Sequence, residues 1–143
     1  MSDFSAFFAE NKIQQDNIKF AVSKRFIDKK TGKPIEWELR ALTAGEDEDI
    51  RRAATRKVKT GGRSNAYTSE LDTNSYLAKM TAAAVVYPNL NDAALQNSYK
   101  VMGAENLLRA MLSAGEYVNL SGKVAELNGF DTDINELVEE AKN

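Results

Sequence analysis

Six basic residues, Arg51, Arg52, Arg56, Lys57, Lys59 and Arg63, crowd into one short stretch, and their type and spacing could do recognisable chemistry. Guanidinium and ammonium groups in such a stripe can bind phosphates, the electrostatic footprint of nucleic-acid contact. Three features oppose that reading: the acid run Glu46–Asp49 directly before it, the lack of interleaved aromatics, and a net charge of −2 for the whole chain. A second candidate is "KTG" at residues 30–32, but the Ser-x-x-Lys and Ser-Asp-Asn companions of that β-lactamase motif are missing.

The chain has no cysteine and no histidine. That double absence excludes Cys and His nucleophiles, a Ser-His-Asp triad, a His general base and ordinary zinc sites. Catalysis would have to rest on carboxylates, Lys, Ser or Tyr, and no pair of acids in an aromatic-lined cleft stands out. The expectation is a protein that is not an enzyme, with no catalytic, metal-binding or cofactor-binding residue.

The elements that would position any interaction surface are legible from periodicity. At 143 residues, 43% hydrophobic and 28% charged, the chain suits one globular domain with at most a mobile arm. No apolar run approaches the ~20 residues that span a bilayer. The start "MSDFSAFFAENK" opens with an acid and lacks a basic n-region, so it does not read as a signal peptide, and a cytoplasmic location is expected. Charge is unevenly spread. Residues 1–69 carry 14 Lys/Arg against 10 Asp/Glu, and residues 70–143 carry 5 against 11, which suits two different partner surfaces, head-to-tail self-association or ordinary solvated faces.

Phe4, Phe7 and Phe8, three and four apart, predict one face of a short helix or arm over residues 1–16, either docked on the domain or waiting for a partner. Ile18, Phe20 and Val22, and then Ile35, Trp37, Leu39 and Ala41, alternate with polar neighbours and predict two strands joined by the turn "DKKTGKP". "TAGEDEDIRRAATRKVK" predicts a charged helix reaching residue 60, with a Thr43/Glu46 capping box and the pairs Asp47–Arg51 and Glu48–Arg52. Residues 61–72 read as a flexible loop. From residue 73 onward short helices follow: one stopped by Pro88, one capped by Asn91 or Asp92, one capped by Gly103, one after a break at Gly115 and ending at Gly129, and a last one carrying Ile134, Leu137, Val138 and Ala141. The Ala82–Ala84 run would let another helix approach closely. The expected fold is α+β and predominantly α: a β-hairpin or small antiparallel sheet followed by a compact bundle of about five to six short helices, with residues 17–143 as one domain.

The run "VVYPNLNDAALQNSYKVMGAENLLRAMLSAGEYVNL", followed by "ELNGF" and "ELVEEAKN", resembles the tail assembly chaperones of tailed phages, closest to the PBSX-type group of prophage-derived tail-like elements. Upstream, "WELRAL", a charged helix with a basic end, and "YTSE" before "DTNSYLAKM" keep that group's order, so the resemblance spans roughly residues 20–143. It implies an assembly factor of the host cytoplasm, absent from the finished tail. Such a factor binds the phage tape-measure protein and keeps it soluble until the tail tube polymerises around it. The tail tube protein is a further implied partner and a homo-oligomer a further state, while no membrane is involved and nucleic acid is disfavoured. The alternatives are a structural subunit of a phage tail or baseplate, and a nucleic-acid-binding regulator using the Arg51–Arg63 stripe. Candidate client or self-interaction residues are Phe4, Phe7 and Phe8; the tyrosines Tyr87, Tyr99 and Tyr117, each with apolar area and a polar tip; and Met102, Leu107, Leu108, Met111 and Leu112, which would line an adaptable groove.

Overall fold

A computed structural model describes residues 4–62 and 65–130. The last predicted helix, with Ile134 to Ala141, lies outside the described residues. Strand β1 (Ile18–Phe20) pairs antiparallel with β2 (Trp37–Leu39), placing Ile18 opposite Leu39 and Phe20 opposite Trp37. The period-two alternation works as expected: Trp37 and Leu39 are buried, while Glu38 faces outward beside Lys19. The connecting turn closes where Gly32, at φ +70°, donates its N–H to the Asp28 carbonyl.

Helix α1 (Ala44–Ala54) begins with the expected capping box: the Thr43 hydroxyl accepts from Glu46 N–H, and the Glu46 carboxylate accepts from Thr43 N–H. It ends earlier than expected. Thr55–Lys59 is strand β3, and residues 61–72, read as a loop, contain its antiparallel partner β4 (Tyr67–Leu71). Thr55, Val58, Tyr67 and Thr68 favour extended backbone, and Gly62 at φ +89° allows the chain to reverse. The dipole complement of Arg56, Lys57 and Lys59 therefore belongs to a strand, and Arg51 and Arg52 occupy the last turn of α1.

Helix α2 (Thr73–Ala84) is capped by the Asp72 carboxylate and buries Tyr76, Ala78, Met80, Thr81 and Ala84. Pro88 does not end it directly. The chain leaves the helix at Ala84 and forms β5 (Val85–Tyr87), which pairs with β2 and completes a three-stranded sheet of order β1-β2-β5. Two β-branched valines and a residue restricted by the following proline explain the switch.

Three more helices follow: α3 (Ala93–Ser98), capped by Asp92; α4 (Ala104–Met111), led by Gly103 at φ +91°; and α5 (Ala114–Leu127). Gly115 is not a break but sits in the first turn of α5, which opens with a second capping box, Ser113 with Glu116. Its far end is a Schellman turn, Gly129 N–H to the Glu126 carbonyl and Phe130 N–H to that of Ala125, with Gly129 at φ +83° in the expected C′ position. The fold is thus α+β, with five helices among the described residues.

One polar contact sits inside the apolar core, where α2 crosses α5. The hydroxyls of Thr81 and Ser121 lie 3.1 Å apart, both buried. Thr81→Val keeps the volume but strands the partner hydroxyl, and is expected to cost about 1–3 kcal/mol. Adding Ser121→Ala removes the stranded group, so the double variant should lose less than the sum of the singles in urea unfolding. Strict additivity would deny the coupling.

Candidate interaction surfaces

The residues expected to line a groove separate into two sets once burial is known. Leu107 and Leu108 are completely buried, and Met111 and Leu112 nearly so. Helix α4 turns this stripe onto α2 and the rest of the core, so these four hold the fold together and offer no surface to a partner. Tyr99 and Tyr117 are half-buried against the same core. Tyr87 remains exposed on the outer face of the sheet, opposite Glu38, and Met102 is 85% exposed just before α4. Periodicity identified an apolar stripe correctly and could not say which way it pointed.

The aromatic segment has the opposite outcome. Phe4–Phe7 and Ala9–Asn11 form short 3₁₀ turns rather than a helix, and neither buries a residue. Two turns too short to sustain regular α-helical bonding settle into the tighter geometry. Phe4 is 72% exposed, Phe7 79% and Phe8 47%. Their rings meet each other, Phe4 to Phe7 at 6.0 Å between centroids and Phe4 to Phe8 edge-on at 5.9 Å, giving a small aromatic cluster with open faces. Ile13, nearly fully exposed, extends the apolar strip. The segment is tied to the body at its inner end, by Gln15 Nε2 to the Leu127 carbonyl at 3.0 Å and Asn17 Nδ2 to Glu38 at 3.1 Å. The segment thus concentrates apolar side chains where they bury nothing within the described residues.

The basic stripe does not survive as one unit. In α1, Arg51 is held by Asp47 at 2.8 Å and Arg52 by Asp49 at 3.0 Å and Glu48 at 3.5 Å. Arg51 also lies 4.5 Å over the Tyr76 ring. The Tyr76 hydroxyl donates to Asp47, and burial first, then that carboxylate, pushes Tyr76 up to about 12. Burial opposes charge on Asp47, yet the hydrogen bonds from Tyr76 and Arg51 outweigh it and hold the carboxyl below its ordinary value. Arg51 thus links α1 to α2, while Arg52 is engaged by acids of its own helix, and neither is free for phosphates. Arg56, Lys57 and Lys59 stand apart on β3. Arg63 lies outside the described residues.

Two further arginines anchor the N-terminal half to helix starts. Arg40 holds Glu46 through two hydrogen bonds of 3.0 and 2.6 Å, and Arg25 holds Glu116 while donating to the Met111 carbonyl at 2.8 Å. Arg40, then the Thr43 N–H, pulls Glu46 down to about 2; Arg25, then the Ser113 N–H, does the same to Glu116. An Ala82–Ala83 surface does remain open beside Ile50, Ala53 and Ala104, forming a shallow groove between α1, α2 and α4 rimmed by Asp49, Lys79 and Glu105. Among the described residues no cluster of carboxylates could hold a metal ion, and no helix is long and apolar enough to cross a membrane.

Comparison with known proteins places these features. The family model described as "Phage XkdN-like tail assembly chaperone protein, TAC" matches residues 4–142. The phage-like element PBSX protein XkdN of Bacillus subtilis (strain 168) is 32% identical over 142 residues, covering 99% of this chain and 94% of that protein. YqbN of the same organism is also 32% identical over 142 residues, covering 99% and 93%. The crystal structure of the protein YqbN superposes with a TM-score of 0.77 at 27% identity, covering 92% of this chain and 99% of that one.

Both capping-box glutamates carry folded values below the unfolded carboxylate value of about 4.3. Their contribution is therefore complete above about pH 5 and is lost as pH falls toward 2. The double variant Glu46→Gln/Glu116→Gln should have a lower urea midpoint at pH 7 and a visibly flatter decline between pH 5 and pH 2.5. A decline as steep as wild type would assign the acid sensitivity to other groups.

Proposed function

This chain belongs to the XkdN-like family of phage tail assembly chaperones, and on that premise we propose that it binds the phage tape-measure protein without catalysing any reaction. It keeps that client soluble in the host cytoplasm until tail tube subunits polymerise around it and displace the chaperone. The observation that carries the reading is the family match over residues 4–142, and the exposed phenylalanine cluster supports it as the contact we propose.

A tape-measure protein is a long chain rich in amphipathic helix, and such a helix binds by burying its apolar face. Phe4, Phe7 and Phe8 offer aromatic area at small conformational cost and burial worth roughly 25 cal/mol per Å² removed from water. A short aromatic strip gives modest affinity per copy, and many copies along one client raise the total by avidity. Modest individual contacts also suit a protein that leaves as the tube grows. Tyr87 and Met102 are exposed apolar positions that can extend the contact.

The test is co-expression with the tape-measure protein encoded in the same gene cluster, followed by size-exclusion chromatography with light scattering. Wild type is expected to hold the client in solution and co-elute with it in several copies. Phe4→Ser/Phe7→Ser/Phe8→Ser should keep the stability of the body within about 0.5 kcal/mol, because the rings bury nothing there, yet leave the client in the pellet. If wild type also leaves the client insoluble, the chaperone reading falls. If the triple variant rescues as well as wild type, the client sits elsewhere.

A further inference from the structure

Among the described residues, the β3–β4 hairpin adds only Leu71 to the hydrophobic core. It forms a sheet of its own, separate from β1-β2-β5, with five cross-strand pairs from Thr55 opposite Leu71 to Lys59 opposite Tyr67. Eight of its ten residues are exposed; Val58 and Leu71 are half-buried. A two-stranded ribbon exposed on both faces is marginal alone, and its persistence here points to a partner.

The chemistry of that partner follows from one face. Residues two apart on a strand share a face, and directly opposed residues of an antiparallel pair share it too. Lys57 and Lys59 therefore lie together with Ser69 and Tyr67, the last 62% exposed. Arg56, on the other face, is near Glu70 and Asp72, both at 3.9 Å, but Lys57 and Lys59 have no ion pair among the described residues. The pad thus presents two ammonium groups, without an ion pair among the described residues, beside an aromatic ring. It fits an acidic segment with apolar side chains at helical spacing.

The chain itself contains such a segment. Residues 131–143, "DTDINELVEEAKN", carry five acids against one lysine, together with Ile134, Leu137, Val138 and Ala141. They continue from Phe130, which lies beside Leu42, Thr43 and Asp47 at the start of α1. The hairpin begins beyond the other end of α1, about 16 Å away for an 11-residue helix, and its lysines lie further out. The segment and the pad thus belong to opposite ends of α1, which suits a contact between copies.

We propose that the Lys57/Lys59/Tyr67 face of the hairpin receives residues 131–143 of a second copy, joining copies head to tail. A contact between two different surfaces of the same molecule is heterologous and stays open-ended unless rotation closes a ring. Such a row would present one aromatic arm per copy along its length. The proposal needs no client and is tested without one.

The measurement is light scattering of the full chain alone, across concentration and at about 50 and 500 mM salt. The expected result is a mass above 15.8 kDa that rises with concentration at low salt and falls towards that monomer value at high salt. Lys57→Glu/Lys59→Glu should be monomeric, and so should Glu139→Lys/Glu140→Lys. Mixing the two should restore association, because each reversed surface then meets its complement. Circular dichroism of each variant checks that the fold is kept. A monomer at every concentration and salt overturns the proposal, as does a mass untouched by either reversal or a fixed dimer that does not grow. If wild type stays monomeric but loses tape-measure co-elution on Lys57→Glu/Lys59→Glu, the pad belongs to the client. If wild type retards duplex DNA at low salt and that variant does not, the pad belongs to nucleic acid. Either result overturns the self-association proposal.

Discussion

Helix α2 is the constraint on which the rest of the structure depends. It buries residues around most of its circumference, packs against α1, α4 and α5, and runs without a loop into β5, the strand that completes the sheet. Because helix and strand are covalently continuous at Ala84–Val85, the sheet cannot shift against the helices without displacing α2 from its neighbours. The Arg40 N–H bond to the Ala84 carbonyl at 2.9 Å pins β2 to the same junction. A helix enclosed this way tolerates few polar groups, and its buried hydroxyls are partnered, Thr81 with Ser121 and Tyr76 with Asp47.

The second level of organisation is carried by charge at helix starts. Glu46 and Glu116 each close a capping box and also receive an arginine from the N-terminal half, Arg40 and Arg25. Each carboxylate thus fixes where a helix begins, and Glu116 also fixes where a distant segment lies against it. For Arg25 the link is between the β1–β2 connection and the α4–α5 corner, 91 residues away. The first role is local and the second is not. A surface ion pair alone contributes little, but one sharing a capping carboxylate is held in place by the helix itself.

Against this closed body, two features keep their side chains outside: the aromatic arm and the β3–β4 hairpin. They leave the body at different places, the arm near the end of α5 and the hairpin between α1 and α2. Both segments bury little, so the core packing does not depend on them.

Much of the architecture followed from local sequence. The Thr43/Glu46 box, a cap at Asn91 or Asp92, the leading Gly103, the Schellman glycine Gly129 and the alternation around Trp37 all act within a few residues and are legible locally, the structure choosing Asp92 for the cap. The resemblance carried by "VMGAENLLRAML" likewise pointed to the family that the comparisons show. Tertiary context decided what local signals left balanced. Residues 55–59 read as helix until β4 supplied a partner strand, and Val85–Tyr87 read as helix until β2 did, because each partner lies outside the segment itself, β4 across the next loop and β2 far back in the chain. The same limit governed the interaction residues. Leu107, Leu108, Met111 and Leu112 share a stripe that a groove or a core would need equally, and only the packing of α4 on α2 turned it inward. Periodicity fixes which side chains share a face; what that face meets is set by the rest of the chain.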